Sequence, residues 1–174
     1  MNSANLVRYL DDYLNVARMP DKSNNGLQIQ STNDEVTRVA FAVDACLASF
    51  KAAIAEHAQL LIVHHGLFWS EHIQLTGPHF ERVKTLICGG CGLYASHIPL
   101  DAHAEVGNNI ELARLIGLQD VQPWGDYKGS KIGFIGNLPQ PVPLAELNAW
   151  LEAVIGKGNR VTPHPNPLPL GEGA

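Results

Sequence analysis

Three short apolar runs in the first hundred residues predict buried β-strands. They occupy residues 36–43, 60–63 and 92–96, and each is too short for a buried helix. Apolar residues recur at helical spacing over residues 45–57 and 80–87, between the runs. An order of strand, helix, strand, helix, strand is typical of right-handed parallel crossovers. We therefore predict an α/β fold, a parallel-type sheet with helices on both faces whose strands end at one common edge.

The segments around this pattern are interpreted as packing and connecting elements. Residues 5–16 place four apolar side chains on one side of a helix, with Ser3 available as its cap. Residues 19–29 are rich in turn-forming types and are interpreted as a connecting loop. Asp44 follows the first strand and precedes a helix, a position more typical of a helix cap than of a catalytic residue.

Two adjacent histidines, His64 and His65, follow the second strand and precede Gly66. Ligands bind outside the carboxyl ends of strands in open α/β sheets, and neutral imidazole is a common metal ligand. Neighbouring strand residues point to opposite sides, so each histidine could serve a different ion of a pair. The alternative is that both are buried or capping histidines, because local motifs of this kind often mislead.

A carboxylate and a third histidine follow the third strand. Parallel topology brings His97 and Asp101 to the edge that already carries His64 and His65. Carboxylate oxygen beside imidazole nitrogen suits zinc, iron, manganese or cobalt, and one carboxylate can bridge two ions. Asp101 is therefore a candidate ligand, whereas His97 is a ligand, a hydrogen-bond partner of a ligand or a proton shuttle.

The charge and the hydropathy of the chain argue against several classes of protein. A formal net charge of -5 without a basic run argues against a dedicated nucleic-acid or anionic-membrane surface. No apolar stretch is long enough to span a bilayer, and the N-terminus has no basic segment followed by an apolar one. We therefore expect a cytoplasmic protein. A small nucleotide bound through a metal remains compatible with this charge.

The three cysteines are too few for a disulfide framework. Cys88 and Cys91 match the CxxC spacing of zinc knuckles and dithiol redox motifs. The motif lacks a second metal-binding pair and lies where a helix leads into a strand, rather than at a helix start where a thiolate is stabilised. We therefore favour a structural role for both cysteines.

The composition changes after residue 123. Residues 131–138 predict a strand and residues 143–155 a helix, and alternate prolines then exclude regular structure. We expect a metal-binding α/β domain over residues 1–123, a partial second α/β portion over residues 124–160 and a disordered Pro-rich tail over residues 161–174.

Five stretches of the chain together form a recognisable pattern, namely residues 24–28 (NNGLQ), 64–69 (HHGLFW), 93–103 (LYASHIPLDAH), 105–109 (EVGNN) and 112–118 (LARLIGL). They closely resemble the dinuclear metal-centre family of GTP cyclohydrolase I type 2 homologs, also called NIF-three-like proteins. The resemblance implies a two-metal site in which His64, His65 and Asp101 match ligands. It also implies a toroidal oligomer, commonly a hexamer, and a hydrolase or cyclohydrolase acting on nucleotide-like molecules.

The family's second portion returns a further histidine and a glutamate to the metal site, and this sequence instead reaches the Pro-rich tail. We therefore expect a C-terminally truncated member that retains three of the expected ligands. Three readings follow. The first is a metal-dependent hydrolase impaired by truncation, the second a non-catalytic metal-binding or regulatory scaffold, and the third an incompletely folded gene product.

Overall fold

A four-stranded mixed sheet is the centre of the first part of the chain. The structure is a computed structural model and describes residues 1–156, so the predicted tail at residues 161–174 lies outside the described residues. Contacts divide the chain into two compact units, Met1–Asp101 and a second unit that begins at Ala102. Within residues 1–156 no helix combines the length and the apolar character needed to cross a membrane.

The sheet of the first unit has the strand order β1-β4-β3-β2. Strands β2, β3 and β4 are parallel, as predicted, and β1 runs antiparallel to β4 at one edge. The α/β fold with a parallel-containing sheet is confirmed. The four strands are β1 (Gly26–Ile29), β2 (Val39–Asp44), β3 (Leu60–His65) and β4 (Gly92–Ala95).

The prediction that residues 19–29 only connect elements is wrong for β1, which lies within them. This strand is four residues long and pairs with β4, far along the chain. Its apolar pattern is too short to predict a strand next to the turn-forming residues that precede it. Pairing with β4, rather than local propensity, stabilises the extended conformation of this segment.

Helices cover both faces of the sheet, because side chains alternate along each strand. On one face, Leu61 and Val63 of β3 pack with Phe50 and Leu86 from two helices. On the other face, Leu60 packs against the N-terminal helix and Leu14. The helices of this unit are α1 (Ser3–Tyr13), a 3-10 turn (Val16–Arg18), α2 (Leu47–Ala55), α3 (Gly77–Cys88) and the short α4 (Ile98–Asp101).

The second unit contains a helix, a two-stranded antiparallel sheet and a further helix. The elements are α5 (Asn108–Leu115), β5 (Gln119–Tyr127), β6 (Ser130–Asn137) and α6 (Leu144–Ile155). The predicted strand and helix correspond to β6 and α6. Strand β5 was not predicted, because Pro123 and Gly125 interrupt its strand pattern. A two-stranded sheet nevertheless tolerates proline at positions where no backbone N–H donor is needed.

Candidate metal centre

His64 and His65 are the last two residues of β3, one of the two strands that are paired on both sides within the sheet. We expected successive strand residues to point to opposite sides. At this strand end the ring centroids are nevertheless 4.6 Å apart with planes tilted by 51°. The two imidazoles therefore belong to one cluster.

His97 completes a group of three histidines. It follows β4, whose Ala95 pairs with Val63, so the parallel register carries its ring to the end of β3. The His97 ring centroid lies 5.0 Å from that of His64 and 5.6 Å from that of His65. One ligand nitrogen from each of the three rings lies within 4.8 Å of the other two.

Asp101 lies beside this histidine cluster at the end of α4. Its main-chain N–H donates to the His97 carbonyl at 3.1 Å, so one helical turn returns the chain toward the cluster. Asp101 Oδ1 is 3.6 Å from His64 Nε2, and its side chain is 26% exposed. The four predicted site residues are thus brought together at the carboxyl edge of the sheet.

Each of the three histidines has an oxygen acceptor at Nδ1. In a neutral imidazole whose Nδ1 donates a hydrogen bond, Nε2 carries the lone pair that binds a metal. In that tautomer, Nε2 is the nitrogen of each ring that could bind a metal ion. The acceptors are the Ser96 carbonyl oxygen for His64 at 3.1 Å, Asp44 Oδ1 for His65 at 2.7 Å, and both carboxylate oxygens of Asp21 for His97 at 3.1 Å.

Asp44 does not cap α2, so the helix-cap prediction is wrong. The cap residue is Cys46, whose Sγ accepts from the Ser49 N–H. Asp44 is the last residue of β2 and is in register with His65 across the parallel pair. Cross-strand neighbours lie side by side, which explains the short Asp44–His65 contact. Because α2 begins two residues later than expected, the Asp44 carboxylate does not cap the helix and accepts a hydrogen bond from His65 instead.

The end of the loop before β1 and the strand β1 itself each support the site in a way that the sequence did not reveal. Asn25 Oδ1 accepts from the His97 N–H at 2.7 Å. Gln28 Oε1 accepts from the Leu67 N–H at 2.7 Å, and Gln28 Nε2 donates to the Phe68 carbonyl at 3.1 Å. Residues 24–28 are one of the stretches that resemble the family, and that resemblance was the available signal.

Asp21 is the most buried of the acidic groups at the site, with a side chain only 3% exposed. Burial raises its pKa, but hydrogen bonds from the Asn25 side chain, the Ser23 N–H, the His97 ring and the Ile98 N–H outweigh that effect. The net result is a pKa below the usual value for aspartate. Asp21 is therefore held as a carboxylate that accepts hydrogen bonds.

The loop after the two histidines packs tightly against the cluster. The Trp69 ring lies edge-on to His97 with centroids 5.0 Å apart, and its indole N–H donates to the Gly66 carbonyl at 3.1 Å. A Cβ at Gly66 would lie 2.4 Å from Gln28 Nε2 and 2.7 Å from the Ala95 Cβ. Only glycine permits this close approach.

The donor set fits a divalent transition metal. Nitrogen donors of His64, His65 and His97 with one nearby carboxylate oxygen are typical of zinc, iron, manganese or cobalt sites. Metal–nitrogen bonds of about 2.0–2.1 Å place two ligands at most about 4.2 Å apart. Ring nitrogens within 4.8 Å of one another need only a small closure to hold one ion.

None of the three cysteines belongs to the group of candidate metal ligands. Cys88 ends α3 and is exposed, whereas Cys91 is completely buried in the core and its burial raises the pKa of its thiol. Cys46 has a lowered pKa because of its hydrogen bonds with the Ser49 hydroxyl and N–H. The CxxC segment connects α3 to β4, as predicted.

Comparison with known proteins identifies relatives of the whole described chain. Residues 1–167 match the model of the family described as Duf34/NIF3 (NGG1p interacting factor 3). A curated protein of Deinococcus radiodurans, named GTP cyclohydrolase 1 type 2 homolog, is 49% identical over 152 residues. That alignment covers 87% of this chain and 57% of the relative, so the chain spans little more than half the length of that protein.

Two solved structures share the fold. TTHA1606 from Thermus thermophilus is 47% identical with a TM-score of 0.79, and the match covers 88% of this chain and 61% of the other. The protein ybgI, described as of unknown function, is 36% identical with a TM-score of 0.80 and coverages of 90% and 61%. Both likenesses extend over most of the present chain and less than two thirds of each neighbour.

Proposed function

This chain belongs to the Duf34/NIF3 family, and from that premise we propose that it binds one divalent transition-metal ion through His64, His65, His97 and Asp101. The observation that carries the proposal is the convergence of three imidazoles whose Nδ1 atoms all have oxygen acceptors. Such acceptors orient ligating histidines in metalloproteins and raise their basicity. Zinc, iron, manganese and cobalt all match this donor set.

The stoichiometry follows from the number of donors. A tetrahedral site takes four ligands, which three nitrogens and one carboxylate supply. A second tightly bound ion would need donors beyond these four, and the bridging carboxylate alone would not satisfy it. We therefore propose that the donors among residues 1–156 hold one tight ion per chain, although two are implied by the family resemblance.

We propose that the metal-loaded protein is a hydrolase or cyclohydrolase that acts on nucleotide-like small molecules. This rests on the name of the curated relatives, GTP cyclohydrolase 1 type 2 homolog. A bound ion supplies a water of lowered pKa and an electrophile for a phosphoryl or ring substrate. The partly exposed His65 and Asp44, with side chains 45% and 66% exposed, leave the cluster accessible to a small molecule.

A second candidate is a metal-binding or regulatory protein without turnover. It is favoured by the donor set, since the proposed ion already uses all four donors of this cluster. Metal binding is common to both candidates, and turnover separates them.

We also propose self-association into a ring, as in the hexamer that the resemblance implies. The second unit supports it because several of its large apolar side chains are more than half exposed, namely Trp124, Ile135, Leu144 and Ile155. Exposed apolar groups of this size are typical of surfaces that bind another protein.

Metal analysis of the purified 174-residue chain tests the proposal. The protein is stripped with a chelator, reloaded with each metal in turn and analysed by mass spectrometry. We expect one tightly held ion per chain, and loss of that ion in His64→Ala and His65→Ala. His72→Ala changes an exposed histidine outside the cluster and is the matched control.

A screen of the loaded protein against nucleoside triphosphates then separates the two candidates. Metal-dependent release of phosphate or opening of the purine ring, lost in His65→Ala, supports the hydrolase. Metal binding without turnover supports the second candidate. A wild-type chain that retains no metal, or one that tightly holds two ions, contradicts the proposed site.

A further inference from the structure

Asp21 contacts His97 of the histidine cluster and is a buried carboxylate that the proposed ligand set does not use. Its side chain is 3% exposed. Removing an anion from water costs several kcal/mol unless hydrogen bonds or an ion pair compensate. A carboxylate in such a position therefore needs partners on nearly every side.

All the hydrogen-bond partners of Asp21 are donors. The donors are Asn25 Nδ2 at 2.9 Å, the Ser23 N–H at 3.0 Å, the Ile98 N–H at 3.0 Å and His97 Nδ1 at 3.1 Å from each carboxylate oxygen. Three of the four cannot change roles, because main-chain N–H and amide NH₂ groups only donate. Only the imidazole has a choice of tautomer.

The carboxylate decides that choice for His97. A lone pair at Nδ1 would face two carboxylate oxygens at 3.1 Å and would be repelled by them. A proton at Nδ1 instead makes a charge-assisted hydrogen bond. Nε2 then carries the lone pair, which is the arrangement that a metal ligand requires.

Asn25 couples the carboxylate to the His97 backbone. Its Nδ2 donates to Asp21, and its Oδ1 accepts from the His97 N–H at 2.7 Å. The Ile98 N–H also donates to Asp21. The ring, the main chain of His97 and the next residue are thus held by one pair of side chains from a single loop, which fixes where the ring points.

We propose that Asp21 is a positioning residue of the metal centre, which holds His97 in its Nδ1-protonated form with Nε2 directed at the ion. His97 then acts as a metal ligand rather than as a proton shuttle. This inference rests on the proposed function in that the ion binds at the histidine cluster. The loop before β1 therefore contributes to the metal centre, although none of its residues is a proposed ligand.

The tautomer of His97 is measured first, in the metal-free wild-type chain. Nitrogen-15 shifts of the imidazole, recorded over a range of alkaline pH values, distinguish the two neutral tautomers. We expect a protonated Nδ1 and an unprotonated Nε2. A His97 ring protonated at Nε2 would overturn the proposal, whether or not the protein binds metal, so this measurement is independent of the proposed function.

Metal affinity is measured second, in Asp21→Ala and in Asp11→Ala as a matched control. Asp11 is another carboxylate of the first unit that accepts a side-chain hydrogen bond, but its partner is the Tyr94 hydroxyl at 2.9 Å. We expect Asp21→Ala to weaken zinc binding by about 10–100-fold and Asp11→Ala to leave it unchanged. Equal affinities of the wild type and a folded Asp21→Ala would overturn the proposal.

A double-mutant cycle with His97→Ala separates positioning from general stability. If Asp21 acts through His97, Asp21→Ala has no further effect on zinc affinity when His97 is already alanine. The visible spectrum of the cobalt-loaded protein should change in the same way in both single variants. An undiminished loss of affinity in the His97→Ala background would mean that Asp21 only supports the fold, and would refute the positioning role.

Discussion

At the scale of single residues, the three histidines differ mainly in what holds their Nδ1 atoms. His64 is held by a main-chain carbonyl, which no side-chain substitution removes. His65 and His97 are held by carboxylates of very different exposure, since the Asp44 side chain is 66% exposed and that of Asp21 is 3% exposed. Water screens and replaces an exposed contact far more readily than a buried one.

This contrast gives a prediction for Asp44. An exposed ion pair contributes about 0.2–1 kcal/mol, so Asp44→Ala should weaken zinc binding by at most about fivefold. That is a smaller loss than the one expected for Asp21→Ala. Competition with a chromophoric chelator measures both variants on one scale, and a larger loss in Asp44→Ala would contradict the ranking by exposure.

The cysteines give a second prediction at this scale. A thiolate is the metal-binding form of cysteine, and burial of Cys91 raises the pKa of its thiol and so disfavours that form. Replacing Cys88 and Cys91 together by alanine should leave the metal content of the purified protein unchanged. Loss of the ion in this double variant would show that the thiols contribute to the site.

Tyr94 gives a third prediction, which concerns alkaline pH. Burial and the hydrogen bond and negative charge of Asp11 raise the pKa of this completely buried phenol. Because the pKa of this phenol is higher in the folded protein than the value of about 10 in the unfolded chain, the neutral phenol contributes its full stabilisation of the folded state below a pH of about 10. That contribution is lost as the pH rises from there through the pKa of the folded protein.

The free energy of unfolding should therefore fall more steeply above pH of about 10 in the wild type than in Tyr94→Phe. Urea titrations at a series of pH values measure both slopes. Other tyrosines and lysines titrate in both proteins, so only the difference between the slopes reports on Tyr94. Parallel slopes would contradict the assignment.

At the scale of elements, the strands of the site could be predicted because they are buried on both faces. Leu60 to Val63 and Leu93 to Ala95 form unbroken apolar runs, and parallel topology then requires their ends to meet. The convergence of His97 and Asp101 with the histidine pair followed from topology alone. No side-chain geometry was needed for that step.

The carboxylates that accept hydrogen bonds from His65 and His97 could not be predicted from topology. Asp21 lies 76 residues from His97 in sequence, and Asp44 lies 21 residues from His65. Each reaches its histidine through a tertiary contact that leaves no local periodicity. A loop rich in Asp, Ser and Asn has the composition of a simple turn, whatever its side chains bind in the folded protein.

The Gly66 loop gives a prediction for this element. A methyl group at Gly66 would overlap the Gln28 amide and the Ala95 Cβ, at distances of 2.4 and 2.7 Å. The loop must then move away from Gln28, which binds the Leu67 and Phe68 N–H groups. Overpacking of this kind costs about 1–3 kcal/mol.

We therefore expect Gly66→Ala to lower both the thermal unfolding temperature and the zinc affinity. Gly133→Ala is the matched control, because a Cβ there would meet the nearest atom at 3.4 Å, an ordinary contact. Calorimetry and chelator competition measure the two effects. Unchanged zinc affinity in Gly66→Ala would mean that the loop position does not influence the cluster.

At the scale of the whole molecule, the proposed metal centre and the exposed apolar side chains of β5, β6 and α6 belong to different units. The four proposed donors and the three acceptors all lie within Met1–Asp101. The second unit has no fully buried side chain in α6, and Leu144 and Ile155 of that helix are 55% and 52% exposed. Each large apolar side chain left in water forgoes roughly 1.5–3 kcal/mol of burial.

This separation gives the final prediction, that the chain without residues 124–174 keeps its metal and loses the proposed self-association. The deletion removes Trp124, Ile135, Leu144 and Ile155, all of them more than half exposed, and leaves every proposed donor in place. Their burial between copies would stabilise the ring, so light scattering coupled to gel filtration should find a smaller species, and metal analysis an unchanged ion content. A shortened chain that forms the same oligomer as the 174-residue chain would show that these side chains do not form the interface.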